Sequence, residues 1–327
     1  MSMNTGQTQV FQQKFLNFET FSNVLRGYDI ELQQLDRGSF SSDLQQIQCG
    51  NVFINRFVAT RRFEVSGNPP PGLITFGVPT DRCLPFTWRN ILSSGNTLQI
   101  YKPGTELEMI THPFFEAIDV SITEENFNVL MHRWELPELD EVTNNREMVS
   151  CNPVKLQQLR ILLHSVCTTL DGKPYLIRRS PALQDIINHE VPYLLAQALM
   201  SSESRLTKPS PEKQAYALKT AVEYIKTTPR KSFSLNGFCS ETGINERTLQ
   251  RAFLDHYGVS PKSYAQAFHL NRAYKALIRS NPESTSIVDI ANSFGFWHMG
   301  QFARDYRRHF GELPSDTLKA RKGRENS

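Results

Sequence analysis

Two stretches in the last third of the chain repeat one another and decide how that region folds. Residues 234–261 read SLNGFCSETGINERTLQRAFLDHYGVSP, and residues 286–314 read SIVDIANSFGFWHMGQFARDYRRHFGELP. When Gly243 is aligned with Gly295, apolar residues fall on apolar residues on both sides of the glycine, with one residue inserted in the second copy. Self-similarity of this kind predicts two copies of one structural unit.

Each copy predicts a short helix, a turn at the glycine and a second, amphipathic helix that ends at a further glycine. Glycine permits the backbone conformation that a sharp turn between two steeply inclined helices requires. In the second helix of the first copy, Leu249 and Phe253 are four residues apart and therefore lie on one face. Phe302 and Tyr306 occupy the same places in the second copy. We expect these side chains to pack inward and to leave the opposite face to solvent.

The solvent-facing side of each second helix carries side chains that can recognise base edges in DNA. Arginine can donate two hydrogen bonds to guanine, and glutamine can pair with adenine through two hydrogen bonds. The candidate base-reading residues are Arg247, Gln250 and Arg251 in the first copy and His298, Gln301 and Arg304 in the second. Arg307 and Arg308 lie further along and are better placed for phosphates, which fix register without reading sequence. Three lysines either contact phosphates as well or are simply solvated; they are Lys213, Lys231 and Lys262.

The two copies are joined by a segment with a strong helical pattern. Residues 260–278, SPKSYAQAFHLNRAYKALI, predict a helix of about 19 residues and roughly 28 Å. Successive major-groove faces on one side of a duplex are about 34 Å apart. A rigid connector of this length would hold the two second helices in adjacent groove segments, with some bending of the DNA.

Residues 216–318, which contain both copies and the connector, resemble the AraC/XylS family of bacterial transcription activators. The motifs that carry the resemblance are Ile290-Ala291 followed by Gly295-Phe296, then Phe302, Arg304 and Tyr306, then Phe310, Gly311 and Pro314, and Leu249-Gln250-Arg251 in the first copy. The resemblance implies two helix-turn-helix units, whose base-reading positions fall on Arg247, Gln250, Arg251, Met299, Gly300, Gln301 and Arg304. Met299 and Gly300 depart from the polar residues often found there.

The stretch GFWHMGQFARDY, residues 295–306, also looks like the ethanolamine-utilisation regulators within that family. This narrower likeness implies an N-terminal domain that senses a small metabolite such as ethanolamine with a cobalamin. No cofactor is expected. The family resemblance as a whole implies a transcription activator that binds double-stranded promoter DNA and works with RNA polymerase. It also implies a small-molecule effector and the ability to form a homodimer.

The N-terminal half shows the pattern of an antiparallel sheet domain. Strands rich in β-branched and aromatic residues are predicted at residues 52–58, 73–78, 97–101 and 115–122, with turn signals between them. Short strands without intervening helical patterns favour a sandwich or a barrel. Aromatic residues of this region either line a ligand cavity or form plain core; they are Phe53, Phe57, Phe76, Phe86, Trp88 and Tyr101.

Helical patterns follow the strands. One helix is capped by Thr123, one is opened by Pro153, and one starts at Ser180-Pro181 and is kinked at Pro192. These helices either pack on the sheet or form a dimer interface. The predicted fold class is therefore α+β, with an N-terminal antiparallel β sandwich or barrel and flanking helices, followed by an all-α domain with two helix-turn-helix units.

The distribution of charged residues divides the chain into the same two domains as the secondary-structure patterns do. We expect a sensing or dimerisation domain at residues 1–205, a linker at 206–211, a DNA-binding domain at 212–321 and a basic tail at 322–327. From Glu212 onward the chain has 18 Lys and Arg against 11 Asp and Glu, whereas the part before it has 18 against 22. A basic part on a mildly acidic remainder is typical of a protein in which one domain meets a polyanion.

Other classes of protein are disfavoured by what the sequence lacks. No apolar run approaches the roughly 18 residues of a membrane span, and the first residues do not form a secretory signal, which favours the cytoplasm. The five cysteines are scattered singly, which argues against disulfides and zinc. A cupin-like enzyme would need clustered metal ligands, but His112 is the only histidine of the strand region, so neither catalysis nor a metal is expected. The alternatives are an enzyme domain fused to a DNA-binding module and an architectural DNA-binding protein with no sensing role.

Overall fold

The computed structural model describes residues 7–25, 27–82, 85–89, 91–93, 95–200, 212–230 and 234–319. Within this part, the N-terminal domain contains two antiparallel sheets. The strands are β1 (Thr8–Phe15), β2 (Asp29–Gln34), β3 (Ser42–Cys49), β4 (Val52–Ala59), β5 (Phe63–Asn68), β6 (Ile74–Pro79), β7 (Thr87–Trp88), β8 (Ile91–Leu92), β9 (Thr97–Tyr101), β10 (Leu107–Ile110), β11 (Phe115–Ile122) and β12 (Met148–Ser150). The larger sheet has the order β1-β3-β4-β11-β6-β9-β12, and the smaller has the order β2-β5-β10-β7-β8. Both sheets are open, so of the two predicted forms the domain adopts the sandwich and not the closed barrel.

Three helices of the N-terminal domain begin where the sequence predicts, after Thr123, at Pro153 and after Ser180. The described helices of this domain are α1 (Phe18–Val24), α2 (Glu124–Arg133), α3 (Leu139–Thr143), α4 (Pro153–Leu170), α5 (Leu176–Arg179), α6 (Pro181–Asp185) and α7 (Val191–Met200). Thr123 caps α2 by accepting a hydrogen bond from the backbone N–H of Asn126 (3.3 Å), and Ser180 caps α6 in the same way (3.2 Å). Pro192 lies near the start of α7, directly after a π-helical turn at Ile186–Glu190. Proline has no N–H to donate, so the deformation predicted at Pro192 takes the form of this wider turn.

The larger sheet separates two cores because successive side chains of a strand point to opposite faces. On one face, Ile118 and Val120 of β11 are buried in a cluster that also contains Leu159 of α4 and Leu195 of α7. On the other face, Ala117 of β11 packs toward the smaller sheet. The domain therefore has three layers, in the order helices, larger sheet and smaller sheet.

The four strands predicted from β-branched and aromatic residues are confirmed as β4, β6, β9 and β11. Among the strands that the sequence patterns missed, β1 and β3 read TQVFQQKF and SDLQQIQC and are rich in glutamine. They pair with each other from Thr8 opposite Cys49 to Phe15 opposite Ser42. Strand pairing, and not the intrinsic preference of glutamine, holds these residues extended.

The helical domain confirms the predicted repeat. Its helices are α8 (Glu212–Thr227), α9 (Leu235–Thr242), α10 (Glu246–Tyr257), α11 (Pro261–Arg279), α12 (Ile287–Ser293), α13 (Met299–Phe310) and α14 (Pro314–Lys319). The first unit is α9 and α10, the second is α12 and α13, and α11 is the predicted connector. Gly243 has a φ of 70° and Gly295 a φ of 80°, which is the left-handed conformation that a turn at glycine permits. The predicted linker at 206–211 and the tail at 322–327 lie outside the described residues, and the domain boundaries stay predictions.

The sheet domain and the helical domain are in contact through buried groups. Phe18 of α1 stacks on Tyr274 of α11, with the ring centroids 4.6 Å apart. The backbone N–H of Gln34 donates to Oδ1 of Asn271 (3.0 Å), and the Gln34 side chain donates to the backbone oxygen of His309 (2.7 Å). An apolar cluster that contains residues of both domains surrounds these contacts. The start of the chain and the connector helix are therefore packed together.

Candidate nucleic-acid interface

The buried side of α10 fixes the first unit. Leu249 and Phe253, which were predicted to face inward, have no solvent-exposed surface. The Phe253 ring packs against Tyr264 of α11, with centroids 5.4 Å apart. Asn245 caps α10 by accepting a hydrogen bond from the backbone N–H of Arg247 (2.9 Å). These contacts anchor α10 from within, and its first turns project into solvent.

The second unit is fixed in the same way. Phe302 and Tyr306 are buried, as predicted. Phe296 packs on Phe302 with the ring centroids 4.9 Å apart, and the Tyr306 hydroxyl donates to Oγ1 of Thr317 (2.8 Å). The helix α13 therefore packs on the core of its unit through the residues that correspond to the buried residues of α10. We call α10 and α13 the recognition helices.

The candidate base-reading residues of α10 are exposed and lightly held. Arg247, Gln250 and Arg251 all face solvent. The Gln250 amide donates to Oε1 of Glu246 (2.9 Å), and Arg251 forms an ion pair with Asp255 at 3.6 Å. Exposed pairs of this kind contribute little to stability. Both side chains can therefore exchange an acidic partner for a base edge at small cost.

The corresponding residues of α13 are exposed but tied to one another. His298, Gln301 and Arg304 face solvent. The Arg304 guanidinium donates to Oε1 of Gln301 (2.9 Å), and the Gln301 amide donates to Oδ1 of Asp305 (2.8 Å). This chain of hydrogen bonds holds Arg304 beside Gln301. The arrangement presents the two as one polar group.

Two further positions of α13 that the family resemblance assigns to base reading offer little polar chemistry. Met299 is half-buried and packs against the apolar cluster of the second unit. Gly300 is exposed and contributes only its backbone. The surface of α13 that can donate hydrogen bonds from side chains is therefore narrower than that of α10.

The phosphate candidates are distributed around both units. Arg307 and Arg308 are exposed toward the end of α13, and Lys262 is exposed at the start of α11. The side chain of Lys213 and the whole of Lys231 lie outside the described residues.

The sheet domain contacts the far ends of the recognition helices. Arg62 donates to the backbone oxygen of Tyr257 at the end of α10 (3.1 Å). The backbone N–H of Gly38 donates to the backbone oxygen of His309 near the end of α13 (2.9 Å). The candidate base-reading side chains lie in the earlier turns of both helices. The two domains therefore pack together without covering the candidate DNA surface.

Comparisons with known proteins agree with this geometry. Residues 238–320 match a family model described as a helix-turn-helix domain. The XylDLEGF operon transcriptional activator 3 of Pseudomonas putida is 32% identical over 142 residues, which cover 43% of this chain and 42% of that protein. The XylDLEGF operon transcriptional activator 1 of the same organism is 36% identical over 101 residues, which cover 31% of this chain and 30% of that protein. A solved structure described as a probable AraC family transcriptional regulator from Rhodopseudomonas palustris is 33% identical, covers 32% of this chain and 97% of its own, and has a TM-score of 0.29.

The helical domain of this chain is similar to regulators of the AraC/XylS family. The chain spans less than half the length of these two curated relatives of the AraC/XylS family, and the likeness lies in the helical domain. The narrower resemblance to the ethanolamine-utilisation regulators is not confirmed by these comparisons.

A cavity of about 60 Å³ lies between the two sheets of the N-terminal domain. Its walls are mainly apolar, and Phe57, Phe86 and Tyr101 are among them. The other aromatic residues considered from the sequence, Phe53, Phe76 and Trp88, are buried but do not line the cavity. The aromatic residues of the strand region thus divide between cavity wall and plain core.

The cavity between the sheets contains a buried acid that sequence reasoning missed. Asp119 of β11 lines it and accepts a hydrogen bond from the Tyr28 hydroxyl (2.6 Å). Burial raises the pKa of Asp119 to about 7, and the described lining residues include no lysine or arginine to offset this. Asp119 and Ala117 alternate with Ile118 and Val120. The sequence does contain one signal for this acid, because Asp119 lies on the less apolar face of a strand that is rich in apolar residues.

Within the described ranges, no group of three or more His, Cys, Asp or Glu is arranged to hold a metal. The described cysteines are unpaired; they are Cys49, Cys151, Cys167 and Cys239. None of the described helices combines the length and the apolar character that crossing a bilayer requires.

Proposed function

We propose that this protein is a cytoplasmic, metabolite-responsive transcription activator that binds promoter DNA through two consecutive major-groove segments. The observation that carries the proposal is the pair of exposed recognition-helix surfaces joined by the helix α11 (Pro261–Arg279). A helix of 19 residues is about 28 Å long, close to the spacing of successive grooves on one side of a duplex. One molecule would then read about two turns of DNA.

The proposed reading uses both recognition helices in different ways. Arg247, Gln250 and Arg251 of α10 would contact base edges in one groove segment, and Gln301 and Arg304 of α13 would contact the next. His298, Met299 and Gly300 would lie against the same segment as α13. Arg307 and Arg308 would contact phosphates, which position the protein without reading sequence.

Binding of the full chain to the DNA upstream of its own gene, compared with random duplex, tests this proposal. We expect the upstream DNA to bind at least about a thousandfold more tightly at physiological salt, as specific regulators do. Nearly equal binding to both would contradict the proposal and would favour an architectural DNA-binding protein.

We further propose that the N-terminal domain binds a small effector in the cavity between the sheets. A water molecule needs about 10–15 Å³ of such space, so the cavity has room for several non-hydrogen atoms. The apolar walls suit an apolar body, and the buried pair of Asp119 and Tyr28 suits one hydrogen-bonding group. Burial of the Asp119 carboxyl costs free energy, and a ligand that added a hydrogen bond to it would reduce this cost.

The helix α1 offers a route from this cavity to the helical domain. Phe21 of α1 lines the cavity. Phe18, one turn earlier, stacks on Tyr274 of α11 and lies 6.1 Å from the ring of Phe310 in α13. A ligand that moved α1 would therefore act directly on the connector and on the second recognition helix.

A thermal-shift screen of small metabolites on the full chain tests the effector proposal. We expect a ligand that raises the melting temperature of the wild type and raises it less in Asp119→Asn. Asp140→Asn, an exposed acid of α3, is the matched control and should respond as the wild type does. A ligand whose effect is the same in Asp119→Asn would place the effector elsewhere.

Two partners complete the proposal. The family resemblance supports a contact with RNA polymerase, and a homodimer is supported by exposed apolar residues on α4. Val154 is 66% exposed and Ile161 is 58% exposed, and they lie seven residues apart on one side of that helix. Sedimentation of the wild type and of Ile161→Glu would test the homodimer, because a charge on a shared face should shift the protein toward monomer.

A further inference from the structure

A cleft of about 280 Å³ lies where the end of α8, the connector α11 and the second helix-turn-helix unit meet, and none of the candidate base-reading residues lines it. Its walls come from the end of α8 with the connection that follows it, from the middle of α11, and from the turn between α12 and α13. The side chains that define it are Lys226, Arg230, His269, Arg272, Phe294 and Trp297. None of these residues was singled out by the sequence.

The cleft is positively charged. Lys226, Arg230 and Arg272 line it, and the described lining residues include no carboxylate. Asp305, which lies outside the lining, is the acid that acts electrostatically on Arg230. A concave surface with several cations and no acid of its own attracts an anion.

The two arginines are positioned by aromatic rings and not by acids. The Arg230 guanidinium lies 4.2 Å from the centroid of the Phe296 ring and donates to the backbone oxygen of Gly295 (2.9 Å). The Arg272 guanidinium lies 5.1 Å from the centroid of Phe294, and Arg272 makes no hydrogen bond or ion pair with any residue that the structure describes. Stacking on a ring holds a guanidinium in place while its N–H groups stay available.

A buried histidine supplies an independent sign of a missing partner. His269 is 4% exposed, and its Nε2 has no hydrogen-bond partner among the described residues. Burial, together with the charges of Arg230 and Arg272, lowers the pKa of His269 to about 4, so the ring is neutral at neutral pH. A neutral imidazole carries one N–H, and a proton on Nε2 could be donated to an anion in the cleft. Leaving a buried polar atom unpaired is unfavourable, so a ligand that accepts this hydrogen bond would be stabilised.

The position of the cleft points to the kind of anion. Trp297 is 59% exposed and comes directly before His298, where α13 begins. The residues from Thr228 to Arg230 lead from α8 toward the first unit. The cleft therefore lies beside the start of α13, and a duplex whose major groove takes α13 would bring its backbone close to this end of the helix.

We propose that this cleft binds one phosphate group of the DNA backbone, in the segment between the two sites read by α10 and α13. Arg272 and Lys226 supply charge, Arg230 is held beside Gly295, and Nε2 of His269 donates a hydrogen bond to a phosphate oxygen. The contact would help to fix the spacing of the two half-sites, because it is made by the second unit together with α8 and the connector that joins that unit to the first. This inference rests on the proposed DNA-binding function.

Methylphosphonate substitution in the preferred duplex tests the proposal on the full chain. Each central phosphate is replaced in turn by a neutral methylphosphonate, and dissociation constants are measured for the wild type and for Arg272→Gln. We expect one central position at which the substitution weakens wild-type binding roughly tenfold. Arg272→Gln should weaken binding to the unmodified duplex by a similar factor and should lower the salt slope by about one. A methylphosphonate at that one position should weaken DNA binding by Arg272→Gln little further.

Matched variants separate this contact from general charge. Lys219→Gln removes the same charge from an exposed position two turns before Lys226 on α8, outside the cleft, and should respond to the central methylphosphonate as the wild type does. His269→Phe keeps a ring but removes the donor, so it should share the insensitivity of Arg272→Gln. A thermal melt shows whether His269→Phe folds. If it does not, the test rests on Arg272→Gln, which should fold because the Arg272 side chain is exposed.

Three results would overturn the proposal. Binding by Arg272→Gln that equals the wild type would mean that the cleft does not touch DNA. An equal methylphosphonate effect in the wild type and in Arg272→Gln would assign that phosphate to another group. A chemical-shift response of His269 to inorganic phosphate, with no sensitive central position in the duplex, would show that the cleft takes a free anion. A wild type that bound no duplex specifically would refute the proposed function itself, which is a separate result.

Discussion

The two helix-turn-helix units share their buried side and differ on their exposed side. Leu249 and Phe253 in the first unit correspond to Phe302 and Tyr306 in the second, and all four are buried. By contrast, the exposed start of α10 carries two arginines and a glutamine, whereas the start of α13 carries a half-buried methionine and a glycine. The comparison teaches that the repeated core specifies the fold, while each exposed face is free to acquire its own recognition chemistry.

The starts of the two recognition helices differ in a second way. The side chain of Asn245 caps α10, whereas His298 at the corresponding place before α13 makes no side-chain capping hydrogen bond. The first N–H groups of α13 are therefore left for solvent or for a phosphate. The first unit is suited to reading bases through long side chains, and the second to combining one Gln301–Arg304 group with backbone contacts.

Removing the core aromatic residue of the second unit should have the largest effect. Phe302→Ala should lower the free energy of unfolding by about 3–5 kcal/mol, because it leaves a cavity among packed rings. Denaturant unfolding followed by circular dichroism measures this loss. Arg308→Ala, which changes an exposed residue of the same helix, is the control and should change stability by less than about 0.5 kcal/mol. An unchanged melting profile for Phe302→Ala would mean that α13 is turned differently.

The histidines that end the two recognition helices should respond to acid to different degrees. Burial lowers the pKa of both His256 and His309 to about 4, but His309 is 5% exposed, whereas His256 is half-buried. Because the unfolded chain binds the proton near pH 6.5 and the folded chain only near pH 4, the free energy of unfolding falls as pH is lowered through this window. His309→Gln should remove a pH-dependent loss on the order of 2 kcal/mol, and His256→Gln a smaller one. Melting curves from pH 7 to pH 4 measure both. Identical pH profiles for His309→Gln and the wild type would contradict the assignment.

Removing one arginine from each exposed face should relax specificity at different places. Arg251→Ala and Arg304→Ala should each weaken binding by about 1–3 kcal/mol and relax discrimination at one base position. The positions should lie in different halves of the binding site, because the two residues belong to different units. Competition with single-base variants of the site measures this. A uniform loss over all variants would instead make the arginine a phosphate contact.

The polar pairs on the two faces should differ in how their effects combine. Gln301 and Arg304 are hydrogen-bonded to each other, so their alanine variants should be non-additive in DNA binding by at least about 0.5 kcal/mol. Gln250 and Arg251 have separate acidic partners, so their effects should add within about 0.5 kcal/mol. Double-mutant cycles measure both terms. Equal coupling in the two pairs would remove the distinction drawn between the units.

The parts of the fold that the sequence predicted are those with local causes. The glycine turns, the buried stripes of α10 and α13, and the 19-residue connector follow from spacing within a single segment. The strands β4, β6, β9 and β11 follow from runs of β-branched and aromatic residues. The capping residues Thr123 and Ser180 mark helix starts because their side chains bond to backbone a few residues away.

The features that the sequence did not predict depend on residues that are distant in the chain. The hydrogen bonds from Gln34 to Asn271 and His309 join positions more than two hundred residues apart, and no local pattern marks them. The cavity around Asp119 requires both sheets, and the cleft around His269 requires α8, the connector and the second unit. Aligning the two copies by their apolar residues also gives no sign of this cleft, because Arg230 and Arg272 lie outside the repeated segments.

Selection of binding sites from random duplex by the full chain tests most directly whether two units read DNA together. We expect the selected sequences to contain two short conserved elements whose centres lie about one helical turn apart, roughly 10–10.5 base pairs. Arg251→Ala should lose information in one element and Arg304→Ala in the other. A single conserved element affected by both variants, or no conserved element at all, would contradict this account.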